Sequence, residues 1–314
     1  VANVEHVYLV TGGAGFIGSH LAKKLLIEGH EVVVVDDLSN GYIKNIPKGA
    51  EFIKLDLSDT RIYDKLPKDI DIVYHLASQA SGEASCDNPI YDLKVNSLAT
   101  LALLQWSKEY SIKKFIFTSS MGVYADNLAC QVSENSPIEP KSFYGVNKLS
   151  SENFIRIYTE EGLNTTIFRL FNVYGPGQNM INLKQGMVSI YLSYVLNQKP
   201  VCVKGPLDRT RDFTYIDDVI NALYLGMFDN RSDNGVFNVC TGRELSVKDV
   251  LKKIFITMGV ESDYQVDIYP RTPRDIDHSC GDNSLIKSAL SWEPIVKFEN
   301  GLEMMSKWAK IFNK

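Results

Sequence analysis

The chain has 314 residues, 45% of them hydrophobic and 23% charged, a balance that excludes intrinsic disorder, a collagen-like repeat, a disulfide miniprotein and a coiled coil. Thirty-three Lys and Arg against 38 Asp and Glu leave a net charge of −5 with no strong local bias, so no footprint for nucleic acid or an anionic membrane is expected. The length suits one large domain or two fused ones, and a small ligand is the better expectation.

The first residues, Val1 to His6, carry no basic leader, and no apolar run approaches the ~20 residues of a membrane span. The five cysteines (Cys86, Cys130, Cys202, Cys240, Cys280) are scattered and never spaced C-x-x-C. They read as small core residues in a reducing compartment, so a cytoplasmic protein is expected.

Val7–Thr11 opens the chain as a buried strand, and Thr11-Gly12-Gly13-Ala14-Gly15-Phe16-Ile17-Gly18 leaves it to start a helix over Gly18–Glu28. This loop contains Gly12-x-x-Gly15-x-x-Gly18. Glycine there permits a tight turn and close backbone approach to a pyrophosphate, and the helix start offers free N–H donors to the anion. A second strand, Glu31–Asp36, ends in Asp36-Asp37, with Asp36 18 residues beyond Gly18. An acid there hydrogen-bonds an adenosine ribose and repels a 2′-phosphate, which favours NAD over NADP, with either Asp36 or Asp37 serving. A third strand, Glu51–Leu55, is followed by Asp56-Leu57, where an adenine ring would be flanked.

Strands over Ile70–Leu76, Lys113–Ser119 and Thr165–Phe171, with a helix over Leu93–Glu109, complete a β-α-β rhythm. The expected fold is therefore α/β, a Rossmann-type doubly wound parallel sheet over 1–173, to which later segments could return. Beyond the turn cluster Tyr174-Gly175-Pro176-Gly177-Gln178 a smaller α/β substrate lobe, 174–314, is expected. Its helices are predicted over Gly186–Asn197, Ile216–Phe228, Ser246–Met258 and Phe298–Phe312, with short strands at Val201–Lys204 and Val236–Val239.

Tyr144-x-x-x-Lys148 falls on a helix after the fifth strand, and the i, i+4 spacing puts phenol and ammonium on one face. A cation beside a phenol lowers its pKa, which makes Tyr144 a candidate base. Ser120, beside the end of the fifth strand, could share a substrate oxygen with it, because open α/β sheets bind ligands at their carboxyl edge. The histidines show no metal-ligand spacing, so no metal is expected, and His75 reads as a satisfied core residue.

These residues in order resemble the extended short-chain dehydrogenase/reductases, and within them the nucleotide-sugar epimerases and dehydratases. The likeness runs through Thr11–Gly18, Asp36-Asp37-Leu38-Ser39-Asn40, His75-Leu76-Ala77, Val95-Asn96, Thr118–Tyr124, Tyr144-x-x-x-Lys148, Arg169–Gly177 and Arg211-Asp212-Phe213. It implies NAD held by the glycine loop with Asn40, Leu76, Ala77, Asn96, Tyr144 and Lys148 contributing. It further implies that Asn172 and Arg211 meet the nucleotide diphosphate, with either Arg271 or Arg274 joining them.

Relatives that dehydrate the sugar carry Asp-Glu after the strand-end hydroxyl residue, and UDP-xylose-forming decarboxylases carry a Glu nearby. Here Met121-Gly122 stand there, and neither shuttles a proton. The resemblance therefore implies an isomerase, a UDP-sugar 4-epimerase, ahead of a decarboxylase, a net reductase or a non-catalytic NAD sensor. Ser279 falls where the epimerases have a gatekeeper for the sugar C2 substituent, and its small size leans toward N-acetylhexosamines over glucose/galactose or glucuronate. In the loop Ser78–Ser85, sugar contacts are expected from Ser81, Glu83 or Ser85. Relatives usually form a homodimer by pairing the helices that correspond to Leu93–Glu109 and Gly145–Glu161.

Overall fold

The computed structural model describes residues 6–126, 131–228, 230–261, 263–272 and 274–312, so Cys130 lies outside the described residues. In chain order the first part comprises β1 (Val7–Thr11), α1 (Phe16–Ile27), β2 (Glu31–Asp36), β3 (Glu51–Lys54), β4 (Ile72–His75), α2 (Gly82–Asp87), α3 (Pro89–Leu93), a π turn (Lys94–Leu98), α4 (Ala99–Glu109), β5 (Lys114–Ser120), α5 (Phe143–Glu160) and β6 (Thr165–Leu170). The rest comprises β7 (Val173–Tyr174), α6 (Met187–Leu196), β8 (Val201–Lys204), β9 (Thr210–Asp212), β10 (Thr214–Tyr215), α7 (Ile216–Phe228), β11 (Gly235–Val239), β12 (Glu244–Ser246), α8 (Val247–Met258), β13 (Val266–Tyr269), α9 (Ser284–Leu290) and α10 (Phe298–Phe312).

Seven parallel strands form the main sheet in the order β11-β6-β5-β4-β1-β2-β3. The strand side chains alternate between two cores: Tyr8 and Val10 of β1 pack with Leu21 and Leu25 of α1, while Leu9 packs with Leu103 and Leu104 of α4 and Ile155 of α5. Burial on both faces explains why these strands read as continuous apolar runs. The winding reverses at β1, which pairs with β2 on one side and β4 on the other, and this opens a crevice at the carboxyl edge of the sheet.

One later segment returns to the main sheet, as the sequence allowed, and one helix departs from expectation. The segment read as a short strand of the second lobe extends over β11 and joins the main sheet, with Val236 opposite Ile167 and Asn238 opposite Arg169. Helix α7, packed beside α1 on one face of the sheet, carries the chain back to it. The helix predicted from Leu93 begins instead at Pro89, because the Asn88 side chain accepts the Tyr91 N–H at 3.1 Å and caps it. It then widens into the π turn, which turns Asn96 and Ser97 into the interior.

Beyond the main sheet lie three two-stranded ladders, β7 with β10, β9 with β12, and β8 with β13. No helix among the described residues is long and apolar enough to cross a membrane.

Candidate active site

The crevice is a cleft of about 580 Å³ that runs from the glycine loop, past Tyr144, to Asn172 and Phe213. Gly12 has φ +69°, and a Cβ on it would stand 2.8 Å from the Ala77 nitrogen, so only glycine lets the two loops meet. A Cβ on Gly18 would fall 2.2 Å from the Gly12 carbonyl oxygen. Gly15 begins α1 without a side-chain cap, leaving the first N–H groups of Phe16, Ile17 and Gly18 directed to the cleft that these residues line.

Asp36 sets the far wall of this cradle. Its carboxylate accepts the Ala14 N–H at 3.0 Å and the Leu38 N–H at 2.8 Å, while burial raises its pKa. Asp37 also lines the cleft, with Oδ1 taken by the Ser39 N–H and hydroxyl. Asn40, Asp56, Leu57, Leu76 and Ala77 line it as well. A helix start with free donors, a cradle that a Cβ would fill and an acid at the end of β2 fit a dinucleotide such as NAD.

Ser120, Tyr144 and Lys148 meet at the middle of the same cleft. Ser120 ends β5, and its hydroxyl accepts the Gly122 N–H at 3.1 Å and faces the Tyr144 phenol. The Ser142 side chain caps α5 by accepting the Gly145 N–H, which starts the helix where Tyr144 and Lys148 share its inner face. Lys148 Nζ donates to the Thr118 carbonyl at 2.9 Å and lies 5.8 Å from the Tyr144 ring centroid.

The expected lowering of the Tyr144 pKa by Lys148 is not seen. Burial pushes the phenol up to about 12, with the Ser120 hydrogen bond working the other way. Burial also brings Lys148 down to about 7, against the fields of Asp92 and Glu152, which favour its ammonium form.

The substrate half is less assembled than the sequence suggested. Asn172 lines the cleft and its amide donates to the Asp212 carbonyl at 2.9 Å. Arg211, Arg271, Arg274 and Ser279 do not line it. Arg211 is turned onto Asp275 at 2.7 Å and the Ile276 carbonyl at 2.8 Å, because Asp275 supplies the nearest anion to a buried guanidinium. Arg271 pairs with Asp277 at 2.9 Å, and Arg274 lies over the Phe143 ring. Ser279 is buried, its hydroxyl without a partner. Asn96 is likewise withdrawn: its amide is committed to Ser78, Gln79 and Asp92.

Of the three polar candidates after β4, Ser81 lines the cleft, donating to the Lys184 carbonyl at 2.6 Å. Glu83 points to Lys204, and Ser85 is buried against Gly82. Sequence reasoning missed the strap from Asn179 to Met187, which borders the cleft and is tied to Asn40 through Asn179 at 3.1 Å. A loop without periodicity carried no signal beyond the turn cluster before it. Among the described residues no group of His, Cys, Asp and Glu could hold a metal.

A dinucleotide cradle and a Ser/Tyr/Lys set at one sheet edge define the class, a Rossmann-fold protein of the short-chain dehydrogenase/reductase type. More narrowly, the chain belongs to the GDP-mannose 4,6 dehydratase family, whose sequence profile matches residues 9–305. It is 34% identical to a putative UDP-glucose 4-epimerase of Methanocaldococcus jannaschii, over 98% of this chain and 99% of that one. The UDP-glucose 4-epimerase of Thermotoga maritima, solved with UDP-glucose, superposes with a TM-score of 0.94 at 35% identity, covering 98% of this chain and all of that one. The UDP-glucose 4-epimerase of Thermus thermophilus, in complex with NAD, gives 0.90 at 33% identity, covering 96% and 98%.

Proposed function

We propose that this protein binds NAD and interconverts the C4 epimers of a UDP-hexose, either UDP-N-acetylglucosamine/galactosamine or UDP-glucose/galactose. The observation that carries the reading is the convergence of Ser120, Tyr144 and Lys148 on one cleft with the glycine cradle, followed by Met121-Gly122. A 4-epimerase needs one acid/base, whereas dehydration at C5/C6 or decarboxylation uses a further proton carrier that Met121 and Gly122 do not supply.

In this proposal Tyr144 takes the proton of the C4 hydroxyl and later returns it. The glycine cradle would hold NAD, which would supply the acceptor for the C4 hydride and the donor for its return to the opposite face of the 4-keto sugar. Lys148 supplies positive charge beside the phenol, and Ser120 steadies the C4 oxygen. The nicotinamide ring's positive charge would lower the Tyr144 pKa from its burial-raised value toward the working range. Residues 1–173 would hold NAD and 174–314 mainly the nucleotide sugar, with Asn172 near the diphosphate. Arg211, with Arg271 or Arg274, would have to exchange the Asp275 and Asp277 contacts for phosphate oxygens.

A homodimer through α5 and the run of the π turn and α4 is supported by exposed Leu98 at the end of that turn and exposed Val146 and Ile157 on α5. The test of function is incubation of the purified protein, without added NAD, with UDP-N-acetylglucosamine, UDP-glucose and UDP-glucuronate separately, following C4 configuration by proton NMR. Conversion to a galacto epimer is expected. If none of the three changes even after NAD is supplied, the 4-epimerase reading fails.

A further inference from the structure

Asp92 of α3 is 0% exposed, yet it makes no ion pair among the described residues. Three side-chain amides surround it: Gln79 Nε2 donates to Oδ1 at 2.7 Å, Asn96 Nδ2 to Oδ1 at 2.9 Å, and Asn147 Nδ2 to Oδ2 at 2.6 Å. Two of those amides cannot be turned round. The Gln79 carbonyl oxygen accepts the Ser81 backbone N–H at 2.6 Å, and the Asn96 Nδ2 also donates to the Gln79 main-chain carbonyl at 3.0 Å. Each of the three amides therefore turns one N–H to the carboxyl group, an environment that favours an acceptor-only, ionised carboxylate against the burial that raises its pKa.

The cation whose field reaches Asp92 is Lys148, the residue after Asn147. Among the described residues it has no carboxylate within ion-pair distance either, its Nζ donating to the Thr118 carbonyl and lying over the Phe117 ring. Other charged or titratable groups face Lys148 from the packed elements. Glu152, on its own helix, is already neutralised by Arg169 at 2.7 Å and takes the Ser119 hydroxyl at 2.5 Å. His75 on β4 stays neutral, its pKa lowered to about 3, and Tyr144 is protonated in the free protein. Of the two carboxylates whose fields favour the Lys148 ammonium, Asp92 has the larger effect, ahead of the Arg169-paired Glu152, and its field acts on Tyr144 as well.

We propose that Asp92 is a positioning residue for the chemistry, a buried anion fixed by Gln79, Asn96 and Asn147 that holds Lys148 in its ammonium form. The π turn serves this arrangement, since it places the Asn96 amide on Asp92 while Asn96 and Ser97 reach α5 through Ser151 and Asn147. The inference rests on the proposed role of Lys148, but its test does not need turnover.

The experiment is a pH titration of the Lys148 ¹³Cε resonance in the NAD-loaded protein with ¹³C-labelled lysine, assigned by its absence from Lys148→Met. Asp92→Asn, nearly isosteric, should lower the Lys148 midpoint by about one unit or more. In any active preparation, both limbs of the kcat profile should move to lower pH, because removing a negative charge lowers the pKa of both neighbours. A role in packing alone would reduce kcat and leave the limbs and the lysine midpoint where they were, and that result overturns the proposal. If Asp92→Asn does not fold, the ¹³Cγ shift of Asp92 in the unaltered protein decides: an ionised carboxylate at pH 7 supports the proposal and a protonated one overturns it. Absence of epimerisation with a shifted lysine midpoint would instead count against the reading of the reaction.

Discussion

The Thr11 hydroxyl and Nδ1 of His75 are 2.8 Å apart, which joins the strand that feeds the glycine loop to the end of β4. Thr11 Oγ1 accepts the N–H groups of Leu76 and Ala77, so its own proton goes to Nδ1. On the other side the Thr100 hydroxyl donates to the Asn96 carbonyl and therefore accepts from Nε2, at 3.0 Å. The ring is held as the neutral Nε2–H tautomer, and a second proton on Nδ1 would have no acceptor.

The pH dependence follows from that. Burial lowers the folded His75 pKa to about 3 against 6.5 when unperturbed. Below pH 6.5 the unfolded chain takes up a proton that the native state refuses, so stability is full above 6.5 and falls toward pH 3. Between pH 7 and 5 the His75 contribution to the loss should be about 2 kcal/mol. Urea unfolding should show the protein losing that much more than His75→Gln over the same interval. Equal losses would assign the acid sensitivity to other groups.

Tyr144→Phe should reduce the epimerisation rate by about 10²-fold or more while leaving NAD on the protein, since a phenyl ring keeps the packing and removes the proton acceptor. The readouts are the NMR rate and the nucleotide released on denaturation. A near-normal rate would remove Tyr144 from the chemistry.

Gly12→Ala tests the cradle. The added methyl meets the Ala77 backbone at 2.8 Å, and φ +69° is unfavourable for alanine. NAD content after purification should fall about 10-fold or more as the loop moves away from the pyrophosphate position. Full retention would mean that the cofactor does not lie on this loop.

Beneath the site, Arg169 and Glu152 form a two-pronged pair, Nε to Oε1 at 3.0 Å and a terminal nitrogen to Oε2 at 2.7 Å, with side chains 5% and 7% exposed. Glu152→Ala strands the buried guanidinium and should cost about 3–5 kcal/mol in urea unfolding. Replacing both partners, as in Arg169→Met with Glu152→Leu, should recover much of the loss. A single replacement that costs under about 1 kcal/mol would show that Arg169 finds another partner or water.

The legible parts of the chain were those in which the deciding interactions are local. Val7–Thr11, Glu31–Asp36, Val201–Lys204 and Ile216–Phe228 have the predicted bounds, because apolar periodicity and flanking turn residues act within a few positions. The glycine loop and Tyr144-x-x-x-Lys148 were equally readable as motifs, since each is a spacing along one loop or one helix. The kinship of β11 with the main sheet was not written in its own residues: a short apolar strand looks the same in either lobe, and the long crossover through α7 decides its place.

Sequence alone determined the doubly wound architecture, and its motifs singled out the glycine loop and the Ser120, Tyr144 and Lys148 residues that line one cleft. Only the tertiary structure decided the electrical state of that set and the resting partners of the arginines. Burial pushes Tyr144 and Lys148 toward their neutral forms, Asp275 holds Arg211, and Asp92 gathers three amides from separate segments. Desolvation and Coulomb fields depend on what the whole fold brings within a few ångströms, and spacing along the chain does not encode that.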